Sequence, residues 1–351
     1  MRPAPLLQAG LLIALTIGAA GSGAFILRAL HIPLAFILGA MIGAATIANL
    51  VAPMKGGRAM RCISQLFVGA SVGVLLSPQV IRALVELFPL MLLIAVAGNG
   101  MGLLLAIPVS KLSRIDHLSG LLSCLPAGMA EMATLAHEMG SDEQSVAIIH
   151  TLRVLIVLSL VPAWLFLTGH PPVNVTVADQ SATADFSVLT ALIVVSLVAA
   201  WLATRLRVIN AFIIAPTMVC VAFVALGARV PAVPQPLLIA TQIGIGASLG
   251  LRFRFNKMRH MPHAVLGGLV SGLILVSATM FGLGLAIEHS AGLDHVSALL
   301  AAVPGGLGEM IATANALGLA GAVVAGFQLT RSIFTNLIVA PYVRSYVSRK
   351  R

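Results

Sequence analysis

The sequence predicts an all-α, polytopic integral membrane protein built from two related halves. Three observations predict this fold class: an apolar composition, a series of long apolar segments and an internal repeat. Of the 351 residues, 59% are hydrophobic and only 9% are charged, and the mean hydropathy is +1.04. A soluble globular chain is about one quarter charged, so the solvent that suits this surface is lipid.

The basic excess points to membrane topology. The net charge of +10 would suggest nucleic acid on a soluble protein. Here the basic residues lie in short loops between apolar runs, where they set orientation, and no nucleic-acid partner is expected. Cys62, Cys124 and Cys220 are scattered through apolar segments without metal or redox spacing.

Comparison of the sequence with itself reveals the repeat. The run LPAGMAEM at 125–132 recurs as VPGGLGEM at 303–310, with an offset of 304 − 126 = 178. Arg153 recurs as Arg331 at the same offset. The apolar run 6–17 also has a counterpart later in the chain, so we expect a first span there and not a cleaved signal peptide. The predicted division is membrane repeat 1 at 1–169, a polar periplasmic linker at 170–185 and membrane repeat 2 at 186–351.

Each repeat contains six apolar segments. The predicted segments lie near 6–27, 32–51, 60–77, 83–109, 118–139 and 145–168, and near 186–204, 208–227, 236–251, 261–287, 293–316 and 319–341. The fifth segment of each repeat carries proline and glycine at its centre and an acidic residue just after them. Such a segment is tolerated in a membrane only where protein or a water-filled cavity surrounds it. We therefore expect about five transmembrane helices and one broken or re-entrant segment in each repeat.

The distribution of lysine and arginine favours two inverted repeats. Five predicted crossings in each half place every basic cluster on the cytoplasmic side, whereas a full crossing by both fifth segments would turn the 252–259 cluster outward. The expected location is the bacterial inner membrane, with both termini cytoplasmic. The basic residues of these predicted cytoplasmic regions are Lys55, Arg58, Arg61, Lys111, Arg114, Arg205, Arg207, Arg252, Arg254, Lys257, Arg259, Arg344, Arg349, Lys350 and Arg351.

Two glutamates and two arginines inside apolar segments are the main functional candidates. Charges within a membrane are costly and usually face a cavity or a partner. Glu131 and Glu309 each follow a break, where they could bind substrate or cap a half-helix. Arg153 and Arg331 could pair with these glutamates, bind substrate or snorkel to the interface. The predicted substrate- or ion-binding residues are Pro126, Gly128, Glu131, Arg153, Pro304, Gly305, Gly306, Glu309 and Arg331.

Other polar residues favour structural roles. Gln65 and Gln242 are each followed by a Gly-Ala-Ser triplet, a pattern that favours close helix packing, with glutamine as a ligand the alternative. Asp116 and Asp294 look like residues that begin helices. No metal centre is expected, because Glu131 and Glu138 would lie about 10 Å apart along one helix. No nucleotide loop or nucleophile elbow is visible.

LPAGMAEM, VPGGLGEM and the run FQLTRSIFTNLIVAP at 327–341 carry a family resemblance over essentially the whole chain. The chain resembles the bacterial AbrB-type membrane proteins, a family with a duplicated membrane domain. Its members are often labelled ammonia monooxygenase or regulator AbrB. The resemblance implies a link to control of gene expression and a distant relation to transporters with inverted five-helix repeats. It implies no catalytic residues.

The functional expectation is a secondary transporter or permease for a small polar or anionic solute. The alternative is a membrane-embedded regulator of gene expression that does not bind DNA itself. A copper monooxygenase would need a cluster of histidine or carboxylate ligands, which the sequence does not show. We expect no enzyme activity and no cofactor. The expected partners are the lipid bilayer and the solute, and a homo-oligomer is compatible with the sequence.

Overall fold

The computed structural model describes residues 5–32, 34–51, 57–168, 186–206, 208, 210–226 and 233–348. Over these ranges the protein is helical and has no strand. The predicted linker at 170–185 lies outside the described residues, as do Lys55, Arg207, Arg349, Lys350 and Arg351.

The helices follow the predicted segments in order. In the first half they are α1 Pro5–Ala29, α2 Ala35–Leu50, α3 Gly57–Leu75, α4 Pro78–Glu86, α5 Phe88–Ser113, α6 His117–Cys124, α7 Met129–Glu138 and α8 Glu143–Leu167. In the second half they are α9 Phe186–Arg205, α10 Ala211–Ala225, α11 Gln235–Gly250, α12 Phe255–His260, α13 Pro262–Ser277, α14 Gly284–Ala291, α15 His295–Ala302, α16 Leu307–Ala316, α17 Gly321–Phe334 and α18 Ala340–Ser348. Two π-helical stretches, π1 Ala278–Leu283 and π2 Thr335–Val339, connect α13 to α14 and α17 to α18.

Length and apolar composition identify the helices that can cross a membrane. Seven helical spans of the described chain qualify, and an eighth does if the bent pair α3–α4 counts as one span. The helices α2 and α10 are apolar but shorter. The spans are Gly10–Ala29, Phe88–Ser113, Glu143–Val161, Val188–Arg205, Gln235–His260, Pro262–Ala291 and Gly321–Ser345. The protein is therefore an all-α polytopic membrane protein, while the inversion of its repeats stays a prediction.

The sequence did not predict α4 or the two π-helices. A single apolar segment was expected at 83–109, but Pro78 begins a separate short helix before it. Proline suits the first turn of a helix, because its missing N–H would have no partner there. A π-helix accommodates a widened turn inside an otherwise regular α-helix and leaves little trace in hydrophobic periodicity.

The helices form two compact units that cut across the sequence repeats. Unit 1 comprises Met1–Ser77, His170–Asn256 and Asn315–Gly318, and unit 2 comprises Pro78–Gly169, Lys257–Ala314 and Leu319–Arg351. Unit 1 therefore takes the first three segments of each half, and unit 2 takes the last three. The division of the sequence into repeats at 1–169 and 186–351 stays a prediction about the repeat itself.

Close helix packing through glycine characterises unit 1. A Cβ built on Gly69 of α3 would lie 2.4 Å from the carbonyl oxygen of Ile213 in α10. In the other half, a Cβ on Gly246 of α11 would lie 2.2 Å from the carbonyl oxygen of Ile37 in α2. Only glycine permits backbones to approach so closely. The close-packing interpretation of the two Gly-Ala-Ser triplets is confirmed for these glycines.

In unit 2 the broken fifth segments pack against helices from the opposite half. Leu122 and Met132, on either side of the first break, share an apolar cluster with Val343 of α18. On α15, Ala301 shares another cluster with Met91 of α5. Each broken segment is thus fixed by its own sixth segment and by a partner from the other repeat.

Candidate functional site

The fifth segment of each half is a helical hairpin. The chain runs through α6, breaks at 125–128 and continues in α7. The Ser119 hydroxyl near the start of α6 accepts a 2.8 Å hydrogen bond from the Asp142 amide, which follows α7. At the equivalent positions, 178 residues later, the Ser297 hydroxyl accepts a 3.2 Å bond from the Ala320 amide. The two ends of each segment therefore lie together.

Aspartates begin both hairpins. Asp116 accepts a 2.9 Å hydrogen bond from the Ser119 amide at the start of α6, and Asp294 accepts one of 2.9 Å from the Ser297 amide at the start of α15. Both residues are helix N-caps, as the sequence suggested. Partial burial alone would raise the pKa of Asp116, but hydrogen bonds from Ser119 and Ser141 outweigh it and hold that pKa below its ordinary value.

Proline and glycine produce the breaks. Leu125 precedes Pro126 and is extended, with φ −61° and ψ 135°. Val303 precedes Pro304 and has almost the same values, −66° and 134°. A residue before proline is pushed out of the helical region, and proline itself has no N–H for a continuing helix. The break is therefore encoded locally in both halves.

Each glutamate occupies the third position of the half-helix that follows its break. A Cβ on Gly128, the N-cap of α7, would lie 3.0 Å from the Glu131 carboxylate. A Cβ on Gly306 would lie only 2.0 Å from the Glu309 carboxylate. Both carboxylates thus fold back towards the amide end of their own helix, where negative charge is favoured. The carboxylate occupies the space next to each glycine, so a side chain at Gly128 or Gly306 would displace it from the amide end.

Arg153 closes the carboxyl end of the first half-helix. Its Nη1 lies 3.4 Å from the carbonyl oxygen of Ser123 and 3.1 Å from that of Leu125. Its Nη2 lies 3.5 Å from the carbonyl oxygen of Ala127 and 2.8 Å from Nδ1 of His150. A helix end in a membrane leaves carbonyl groups that water cannot reach, so a buried guanidinium satisfies several of them at once.

Arg331 does the same in the second half. Its Nη1 donates to the carbonyl oxygens of Ala302 and Val303, at 3.1 and 3.0 Å. Its Nη2 donates to the carbonyl oxygen of Gly305 at 3.4 Å and to the side-chain oxygen of Gln328. Both arginines are almost fully buried, at 4% and 5% exposure. The carbonyls of Leu125 and Ala127 correspond, at the offset of 178, to those of Val303 and Gly305, so the two arginines contact equivalent parts of their breaks.

His150 and Gln328 are residues of the candidate site that sequence reasoning missed. His150 Nε2 lies 2.9 Å from the carbonyl oxygen of Leu122, and Gln328 Nε2 donates at 2.8 Å to that of Leu300, 178 positions later. Because His150 Nε2 faces an acceptor and its Nδ1 faces a donor of Arg153, the network assigns the proton to Nε2. The signal was available: a polar residue precedes each arginine by three positions.

Of the alternatives for Arg153, the ion pair with Glu131 is not the one that the structure shows. The donors of Arg153 go to backbone carbonyls and His150, and the Glu131 carboxylate accepts a 2.8 Å hydrogen bond from Asn336. Arg331 likewise directs its Nη donors to three carbonyls and Gln328. Each break separates two half-helices. The arginine lies at the carbonyl end of the first half-helix and the glutamate lies at the amide end of the second, so each charge is favoured by the nearest helix dipole. Whether any of the predicted residues binds a solute stays a prediction.

The two hairpin tips differ around their glutamates. Glu131 is half-buried, whereas Glu309 is 2% exposed. Asn336, the donor to Glu131, lies in π2, and Thr335 beside it donates to Asn99 of α5 at 3.1 Å. The residues 178 positions earlier are apolar, at 157 and 158, and lie in regular α8. Unit 2 therefore has one polar network that its internal repeat does not duplicate.

The two buried arginines lie at the same distance along their helices. Arg153 follows the first residue of α8 by ten positions, and Arg331 follows the first residue of α17 by ten. At 1.5 Å per residue, each guanidinium is about 15 Å along its helix. The hydrocarbon layer is about 30 Å thick. Within the described residues, no group of three or more His, Cys, Asp or Glu side chains could hold a metal ion.

The apolar spans and the two buried hairpins define the class, an integral membrane protein with paired broken helices. A family profile described as "Transition state regulatory protein AbrB" matches residues 2–143 and 44–347, and the chain belongs to this AbrB family. The chain is also similar to "Uncharacterized protein YhjN" of Bacillus subtilis (strain 168), with 24% identity across 93% of this chain and 91% of the relative. No solved structure matches the chain significantly.

Proposed function

We propose that the protein is a secondary transporter for a small polar or anionic solute, which binds at the hairpin tips of unit 2. The observation that carries the proposal is the duplicated break, with a buried arginine on its carbonyls and a glutamate at its amide end. Broken helices that meet near the midplane expose backbone groups to a solute without exposing them to lipid. Charges kept at this depth are costly, and binding or moving a solute is the usual reason to keep them.

The roles within the site follow from the contacts. Arg153 and Arg331 hold the break open by satisfying its carbonyls. The remaining amides of Gly128 and Gly306, together with the glutamates, form the polar surface that a solute would meet. Glu131 is the more accessible carboxylate, and Asn336 orients it. A solute with both donor and acceptor groups fits these surroundings best.

Solute flux in proteoliposomes tests the proposal. Currents would be recorded after concentration jumps of monocarboxylates, dicarboxylates, amino acids and phosphate, with wild type, Glu131→Gln, Glu309→Gln and Glu138→Gln. Glu138 lies on α7 but is exposed and pairs with Arg344, so it is the matched control. At least one solute should give a current that the first two variants lose and the control keeps. Equal currents in all four proteins would show that Glu131 and Glu309 are not needed for solute binding.

The second candidate is a membrane-embedded regulator of gene expression without direct DNA binding; the name of the matched family, a transition state regulatory protein, favours a regulatory role. A regulator that does not transport would give no solute-dependent current in any variant. Its deletion would still change transcript levels in cells, and Glu131→Gln would leave that effect intact. Glu131→Gln therefore separates the two candidates: it should abolish the current of a transporter and leave the transcript effect of a regulator unchanged.

The proposal includes a bacterial inner-membrane location with both termini in the cytoplasm. Single cysteines at positions 178, 256 and 348 would be placed in a chain that lacks Cys62, Cys124 and Cys220. An impermeant maleimide added from outside should label position 178 and spare the other two. Labelling at 256 would contradict inverted repeats.

A further inference from the structure

A groove of about 540 Å³ lies at one end of unit 1. It is formed by the first turns of α3, the last turn of α9 and the start of α10. The residues that matter here are Arg58 and Cys62 of α3, Trp201, Thr204 and Arg205 of α9, and Phe212 of α10. Its walls are therefore mostly apolar, with two cations at the rim.

Among the residues of unit 1 that the structure describes, Arg58 and Arg205 have no carboxylate to pair with. The described residues of unit 1 contain no aspartate or glutamate. The ion pairs that join described residues, such as His295 with Glu288, lie in unit 2. Arg205 instead stacks over the Trp201 ring, with its guanidinium carbon 5.1 Å from the ring centroid. An anionic ligand would balance the charge of this groove.

The surroundings of the groove are those of a helix end that faces lipid. Trp201 is 57% exposed, and the large apolar side chains of Val198, Leu202 and Ile63 are 60%, 52% and 58% exposed. An exposed tryptophan beside charged helix ends marks the level of the lipid headgroups. The basic residues place this end on the predicted cytoplasmic side. A ligand here would have an apolar part along the exposed helices and an anionic part at the rim.

We propose that this groove binds an anionic phospholipid, with the headgroup phosphate between Arg58 and Arg205 and an acyl chain along α9. Guanidinium groups bind phosphate oxygens through paired, charge-assisted hydrogen bonds. Basic pockets between transmembrane helices are suited to acidic headgroups. The inference uses unit 1 alone and does not depend on the proposed transport function.

The internal repeat supplies a natural comparison. At an offset of 177, Arg205 corresponds to Arg28, Arg58 to Gln235 and Trp201 to Ala24. Arg28 still lies over an aromatic ring, 5.2 Å from the centroid of Phe36. The equivalent position thus keeps one cation on a ring but lacks the second arginine and the tryptophan. It serves as the matched control for a site that needs both cations.

Quenching of Trp201 fluorescence tests the assignment. Trp164→Phe leaves Trp201 as the sole tryptophan, because the chain has two. The protein would be placed in phosphatidylcholine vesicles with increasing brominated phosphatidylglycerol or brominated phosphatidylcholine. Brominated phosphatidylglycerol should reach half-maximal quenching at a several-fold lower mole fraction. Arg58→Gln, which leaves the Arg205–Trp201 stack intact, should abolish this preference, and Arg28→Gln should retain it.

Three results would overturn the proposal. Equal quenching by the two brominated lipids would show that the groove does not select anionic headgroups. Retention of the preference in folded Arg58→Gln protein would exclude the two-arginine site. Recovery of fluorescence with millimolar inorganic phosphate would identify a soluble-anion site. If Arg58→Gln does not fold, native mass spectrometry of the wild-type protein decides: phosphatidylglycerol should remain bound at energies that strip phosphatidylcholine, and equal loss would refute the assignment.

Discussion

Unit 1 and unit 2 solve the problem of folding in lipid with different chemistry. In unit 1, glycines such as Gly69 and Gly246 bring helix backbones into contact, and the described residues include no carboxylate. In unit 2, helices are interrupted, and buried charges satisfy the exposed backbone ends. Packing through small residues brings helix backbones together, whereas breaks leave polar backbone groups to be satisfied among the helices. Each unit contains three segments from each repeat. The difference between the units therefore comes from which segments they contain, and not from which repeat those segments belong to.

The largest expected effect comes from removing a buried guanidinium in unit 2. Arg153→Met or Arg331→Met leaves two or three break carbonyls without donors. Each substitution should lower the unfolding free energy by about 3 kcal/mol or more. Thermal unfolding in detergent would measure the loss, with exposed Arg344→Met as the control. If the unfolding temperature falls no more than in the control, the buried arginines do not stabilise unit 2 by satisfying its break carbonyls.

Gly69→Ala probes the packing of unit 1. The added methyl group would lie 2.4 Å from the carbonyl oxygen of Ile213, so α3 and α10 must separate. The expected loss is about 1–3 kcal/mol. Gly18→Ala is the control, because nothing lies within 4 Å of its Cβ position. If both variants unfold at the same temperature, close approach does not stabilise unit 1.

The hairpin caps should contribute less. Asp116→Ala and Asp294→Ala should each cost about 1 kcal/mol. Because the pKa of Asp116 is lowered in the folded state, its contribution is present above the pKa of the unfolded chain and is lost as pH falls through the folded pKa. Unfolding curves between about pH 3 and pH 7 would show the wild type approaching Asp116→Ala at the acidic end. A constant gap across this range would contradict the cap.

The smallest effect is expected at the surface of unit 2. Glu138 and Arg344 form an ion pair with both side chains at least half exposed. Glu138→Gln should change the stability by less than about 1 kcal/mol, and added salt should shrink the difference further. A loss of stability as large as that of Arg153→Met would mean that burial does not determine how much a charge contributes to the stability of unit 2.

The sequence predicted the breaks but not their partners. Proline and glycine act on the adjacent backbone, so Pro126 and Gly128 located the first break between Cys124 and Met129. The partners of Arg153 are backbone carbonyls, which leave no side-chain signature, and the charge pattern favoured Glu131 instead. Asn336 was missed because a π-helix changes which residues share a face. The sequence did not predict which helices form each unit, because the linear order of a repeat does not specify which helices pack together.

The interleaving of the halves has a consequence for biosynthesis. When a ribosome has completed residue 169, α2 and α3 still lack the helices that contact them through Gly246 and Gly69, because α11 and α10 have not been made. The amide that orients Glu131 arrives 205 residues after it. Insertion into the bilayer must therefore keep the first half in a partly assembled state until the second half emerges. A translation arrest between the halves would leave two unfinished bundles and no completed one.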